Sequence, residues 1–202
     1  MTSSLAHPRL ALAGLLLLVA CRDSKPLPPG DWLGRCAASG VPDKAVEFGP
    51  PPTRFVRDEA QIMHTGFATA LDSGLNAFQL ETCHQITVVS VGSLEGSTLA
   101  EYSLQYANRI GLGYRRLNNG LMLVLVPSTG QARIQIGCGL EDVVSDAQAN
   151  EILQRDLLPA LREGYTQEGV LAATDALMKL ARKKAIAEEF RPEGCRKKAG
   201  GK

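Results

Sequence analysis

Aromatic side chains make up only 5 % of this 202-residue chain, and neither sign of charge prevails, with 22 Lys and Arg against 21 Asp and Glu. A nucleic-acid surface announces itself as a basic patch or stripe, so no nucleic-acid partner is expected. Long hydrophobic runs are missing too. The run at residues 10–20, LALAGLLLLVA, has eleven residues, whereas a spanning helix needs about 20. That excludes a polytopic membrane protein. Familiar catalytic signatures are also lacking: there is no Gly-x-Ser-x-Gly elbow, no His-Glu-x-x-His, no Cys-x-x-Cys and no complete phosphate loop. No Cys-x5-Arg loop follows Cys83 or Cys138. Hydrophobic content of 45 % with 21 % charge is what remains, an ordinary globular composition.

The short apolar run has the length of a signal-peptide core, and Arg9 supplies the positive charge before it. It ends Leu18-Val19-Ala20-Cys21, which resembles the bacterial lipobox, in which cleavage before the cysteine exposes a residue that carries acyl chains. Each buried CH₂ contributes about 0.8 kcal/mol to holding such a protein on a bilayer. Cys21 is therefore the expected lipidation site, with ordinary signal cleavage and a plain thiol as the alternative. The membrane is then a partner through the N-terminal lipid, and the location is the bacterial cell envelope, facing the periplasm. Arg22, where an Asp would retain the protein in the inner membrane, slightly favours the outer membrane. Removing Arg9 with the signal balances the charge at 21 against 21.

Cysteine parity agrees with this reading. Of Cys21, Cys36, Cys83, Cys138 and Cys195, lipid on the first leaves four that can pair in an oxidising compartment. Four cysteines allow three connectivities and sequence cannot choose among them. The preferred set is Cys36–Cys195 across the flanks and Cys83–Cys138 within the domain. Residues 22–53 hold seven of the eleven prolines and read as a semi-rigid tether. Residues 191–202 read as a basic tail, and residues 54–190 as one domain.

Within that domain Arg54–Arg57 reads as a short edge strand. Asp58 with Gln61 three residues on marks a helix start, followed by an apolar stripe at Met63, Phe67, Leu71, Leu75 and Phe78. Gln85–Val91 is β-branched and reads as a strand. Thr98 with Glu101 opens a second helix. Leu121–Val126 is continuously apolar, as a strand buried on both faces must be. A turn at Ser128–Gly130 returns the chain along Ala132–Gly137 as a hairpin. Ser145 with Gln148 opens a third helix, to about Gly164 and kinked at Pro159; a last helix runs from Thr166 to about Phe190. Two strand–helix–strand steps require parallel pairing with right-handed crossovers. The fold class is α/β, a mixed sheet of parallel βαβ units plus an antiparallel hairpin.

Val56-Arg57-Asp58, the strand Gln85–Val91, Asn118–Val124 and Arg133–Glu141, in this order, resemble the TPM domain family. That resemblance implies a three-layer α/β/α sandwich, exported or membrane-tethered. A thylakoid relative in that family is described as an acid phosphatase, some members bind Ca²⁺, and others act as accessory or assembly factors with envelope protein partners. This chain departs from the family pattern at Asn119, where Asp is frequent, and at Cys138, where an aromatic is usual. Asp58, Asn119, Glu141 and Asp142, with Asn118 and Asp146 nearby, fall at element junctions and offer the carboxylate and amide oxygens a hard cation such as Ca²⁺ prefers. Asp58 and Asn119 share a sheet edge only if the first and third strands run antiparallel. Each residue also has a structural reading: Asp58 as helix cap, Asn119 as turn former, Glu141 and Asp142 as solvated charges. The expected function is a lipid-anchored, non-catalytic accessory module with capacity for a divalent cation; the alternative is a divalent-cation-dependent acid phosphatase.

Overall fold

The computed structural model describes residues 54–114, 117–187, 191, 192 and 195, all within the compact unit Asp31–Lys202. The expected signal, the lipidated Cys21 and the Pro-rich tether lie outside the described residues. β1 (Val56–Asp58), β2 (Gln85–Ser90), β3 (Gly120–Val126) and β4 (Gln131–Ile136) form one sheet in the order β1-β2-β3-β4. β1 and β2 pair parallel, as do β2 and β3, and β3 and β4 pair antiparallel. This is the mixed α/β sheet that the crossover argument requires.

All seven residues of β3 and all six of β2 are buried, so both sheet faces must be covered. Strand alternation divides the work. Leu121, Leu123 and Leu125 join Ile86, Val88 and Ile134 beneath α1 (Thr65–Thr82), α3 (Asp146–Ile152) and α5 (Thr166–Ala181). Met122, Val124 and Val126 join Val89 and Val91 beneath α2 (Leu99–Arg109), which contributes Tyr106 and Ala107. Helices therefore lie on both faces, the three-layer sandwich.

Of the three helix-start pairs expected from sequence, two are present as capping boxes, Thr98 with Glu101 and Ser145 with Gln148. The helix begun at Ser145 widens into a π turn at Leu153–Leu157 before continuing as α4 (Leu158–Glu163). Pro159 cannot donate to the preceding turn, and the wider turn accommodates its ring in place of a sharp kink. α5 seats against this bulge through Gly169, where a Cβ would stand 2.7 Å from the Ala160 methyl group.

Two boundaries differ from the sequence reading. Asp58 does not cap α1; the helix starts at Thr65 with His64 before it, because Gln61 takes a left-handed backbone (φ 55°) and turns residues 59–63 across the strand ends. The last helix stops at Ala181. There Arg182 lies 5.0 Å over the Phe78 ring and pairs with Glu81 at 3.0 Å, and the chain folds back toward the start of β2.

β1 is too short to hold itself. Its entry is fixed from α1 by Asp72, whose Oδ1 accepts from Phe55 N at 2.7 Å and Val56 N at 2.9 Å. Glycine governs the turn at the other end of the sheet. A Cβ on Gly139 would lie 1.8 Å from the Leu117 carbonyl oxygen, so Gly139→Ala is expected to cost at least about 3 kcal/mol of unfolding free energy in denaturant titrations. Gly74, exposed in α1 with nothing within 4 Å of a would-be Cβ, gives the opposite result: Gly74→Ala stabilises by about 0.5–1 kcal/mol in the same assay.

Candidate functional site

Parallel pairing of β1, β2 and β3 sorts the polar residues onto two poles. The pole at the C-terminal ends of β1 and β2 holds Asp58 opposite Ser90. Ser90 Oγ donates to Asp58 Oδ1, which also accepts from Ile62 N at 3.0 Å, while Oδ2 accepts from Met63 N at 2.8 Å. The Ser90 hydroxyl in turn accepts from Ala60 N at 3.1 Å. Asp58 is thus an anchor for the loop that leads into α1. Around the edge of the sheet Tyr106 donates its phenol proton to Glu59. Tyr102 packs 5.8 Å from the Tyr106 ring and the Arg109 guanidinium lies 4.6 Å over it. Burial first, then the Glu59 carboxylate, pushes the Tyr106 phenol up to about 12. It stays a hydrogen-bond donor through the physiological range and is unsuited to act as a base.

The opposite pole, where β2 and β3 begin, is a buried polar network. His84, Gln85 and Asn119 are all buried. Asn119 Nδ2 donates to the Cys83 carbonyl at 2.6 Å and points at His84 Nδ1 at 3.2 Å; its Oδ1 accepts from Tyr114 N at 3.0 Å. Since Nδ1 must accept, His84 carries its proton on Nε2 and donates to the Lys184 carbonyl at 2.8 Å. Gln85 completes the network, giving a hydrogen to Gln79 Oε1 at 3.0 Å and accepting from Gly113 N at 2.7 Å. Cys83, in the left-handed region at the end of α1, is disulfide-bonded to Cys195 with Cα atoms 5.6 Å apart. The expected pairs Cys83–Cys138 and Cys36–Cys195 are therefore corrected: the fold-back after Ala181 carries Cys195 to the start of β2. Cys138 is also disulfide-bonded.

The four expected cation ligands do not converge. Asp58 and Asn119 stand at opposite ends of a parallel sheet, the arrangement that separates them. Asn119 spends its amide on the buried network, and Asp142 pairs with Lys184 Nζ at 2.7 Å. Glu141 is exposed, and Asp146 lies exposed in the first turn of α3. Among the described residues no cluster of three or more His, Cys, Asp or Glu is placed to hold a metal. The set does not fit one ion. His64 is exposed, and its backbone N–H donates to Gln167 Oε1 at 3.0 Å. Sequence reasoning missed the links from His84 to Lys184 and from Tyr106 to Glu59, because residues 100 and 47 positions apart leave no local pattern.

Fold and poles together define an α/β/α domain whose polar groups are largely used to close its two ends. The chain belongs to the TPM domain family, whose model matches residues 56–180. The solution structure of the N-terminal domain of a P. gingivalis protein is 28 % identical, with a TM-score of 0.60, over 65 % of this chain and 83 % of that one. The N-terminal domain of the cg2496 protein from Corynebacterium glutamicum is 18 % identical, with a TM-score of 0.52, over 69 % of this chain and 88 % of that one. A search of curated proteins finds no match.

Burial, ahead of every other cause, lowers the His84 pKa from its ordinary value of 6.5. The unfolded chain then binds a proton that the folded one refuses, so the ring's contribution is complete above pH 6.5 and is lost as pH falls toward the depressed folded value. Urea titrations between pH 7.5 and 5 are expected to show stability falling with acid, with a shallower slope in His84→Gln.

Proposed function

We propose that this is a lipid-anchored protein of the bacterial envelope whose TPM domain serves as a non-catalytic accessory module for envelope protein partners. The observation that carries this reading is the employment of the candidate ligands. Asp58 gathers three donors from the loop and Ser90, Asn119 closes the buried network, and Asp142 is ion-paired. Stripping Asp58 or Asn119 for chemistry would open an end of the sheet. Anchoring is supported by the signal-like run ending at Cys21, and among the described residues no helix is long and apolar enough to cross a membrane. Acyl chains on Cys21 would supply the membrane attachment.

Two measurements decide it. The intact mass of protein extracted from membranes is expected to lack residues 1–20 and to carry acyl groups; an unmodified Cys21 removes the anchor from the proposal. Phosphate release from a generic monoester by the purified protein is expected to stay at background with or without Ca²⁺ or Mg²⁺. Cation-dependent turnover that disappears in Asp58→Ala, with the fold retained by circular dichroism, would replace the accessory reading with the phosphatase. A rise in Tm on adding Ca²⁺ without turnover would keep the module and give it a cation.

A further inference from the structure

Among the described residues His84 alone is fully buried and able to change its charge near neutral pH. Both ring nitrogens are committed. Nδ1 accepts from Asn119 Nδ2 at 3.2 Å, and Nε2 donates to the Lys184 carbonyl at 2.8 Å. The ring thus joins the residue before β3 to the turn that follows α5. That turn is closed by the amides of Arg182, Lys183 and Lys184, which donate to the carbonyls of Met178, Leu180 and Ala181, each at 3.0 Å. Arg182 also reaches Glu81 through two bonds of 3.2 and 3.0 Å, and Lys184 Nζ reaches Asp142 at 2.7 Å. Further along, Cys195 is bonded to Cys83, the residue before His84.

A protonated ring has no satisfied arrangement in this network. Nδ1 would become a second donor and would face the hydrogens of the Asn119 amide. Turning that amide over does not help. Its oxygen would then accept from the ring but would meet the Cys83 carbonyl, which now accepts from Nδ2 at 2.6 Å. Its nitrogen would meet the Tyr114 N–H, which now donates to Oδ1 at 3.0 Å. The surrounding charges agree. Lys184 and Arg191, on the segment beyond α5, oppose the added proton. Asp142, before α3, favours it but is paired with Lys184, and Glu81, at the end of α1, is paired with Arg182. A charge formed here must reach water, and the group bonded to the other side of the ring is the Lys184 turn.

We propose that His84 is a proton-operated catch on the turn Arg182–Lys184. Neutral, the ring holds the turn against the end of the sheet. Taking a proton from water at Nδ1, it loses its place beside Asn119, and the turn swings out and uncovers the starts of β2 and β3. The exposed pair of Arg182 with Glu81 adds little holding force, so the buried ring decides. The Cys83–Cys195 bond limits the movement, and the domain opens at one end without unfolding and closes again on neutralisation. The catch depends on neither the lipid anchor nor the accessory role.

Hydrogen exchange on the full, unreduced chain tests this, at pH 7.5 and pH 5, with each amide's rate divided by its intrinsic rate at that pH. The amides of Arg182, Lys183 and Lys184 are expected to lose protection at least about tenfold in acid while those of residues 121–126 keep theirs. His84→Gln, which takes no proton, is expected to protect the turn equally at both pH values. Asn119→Asp offers the charged ring an acceptor, so its turn is expected to stay protected at pH 5. Unchanged protection in the wild type overturns the catch. A loss shared by residues 121–126 also overturns it, since that is acid unfolding of the whole domain. An acid loss in either variant equal to that of the wild type overturns it as well. Should His84→Gln fail to fold at pH 7.5 by circular dichroism, the wild-type comparison and Asn119→Asp still decide.

Discussion

β3 is buried on both faces along its whole length, and that one requirement organises the domain. A strand reading Leu-Met-Leu-Val-Leu-Val from residue 121 has no side that can meet water. Its odd-numbered side chains need α1, α3 and α5, and its even-numbered ones need α2. Parallel pairing with β2 then follows, because a crossover helix is the connection that returns the chain to the same sheet end while covering a face. The hairpin to β4 adds the antiparallel member, and beyond it nothing in the described chain pairs with the sheet.

That arrangement settles what the polar residues are for. With β1, β2 and β3 aligned, a residue at the end of one strand cannot meet one at the start of another. Asp58 and Ser90 share one pole; His84, Gln85 and Asn119 share the other. The named side chains at each pole find partners within the protein, Asp58 and Ser90 at one, His84, Gln85 and Asn119 at the other, while Arg57 Nε and Thr87 Oγ1 are buried without a partner among the described residues. Family membership and fold are thus secure on this chain's own residues, while the accessory role is an inference from how those residues are spent.

Much of this was readable from the sequence, and the failures share a cause. The β3 run, the β-branched strand at Gln85–Ser90 and the boxes at Thr98 and Ser145 are local patterns, and each is observed. Asp58 carried a local signature too, since Asp followed three positions on by Gln imitates a helix start. Its real partners include Ser90, 32 positions away, and strand register brings them together. The cysteines were harder still. Their spacing carries no information about which sulfurs meet, so Cys83 with Cys195 became visible only once the chain was seen to reverse after Ala181. The proposed cation set failed for a reason the sequence itself supplied, because it needed an antiparallel relation that two crossovers forbid.

The long reach of the Cys83–Cys195 bond, 112 positions, has a bearing on how the domain matures. The first sulfur is ready when α1 is made; the second emerges only after every helix and strand has been synthesised. The segment beyond Ala181 also has non-covalent ties, the His84 bond to the Lys184 carbonyl and the ion pairs at Glu81 and Asp142. The disulfide therefore ties together two distant parts of the chain that these weak contacts already hold side by side.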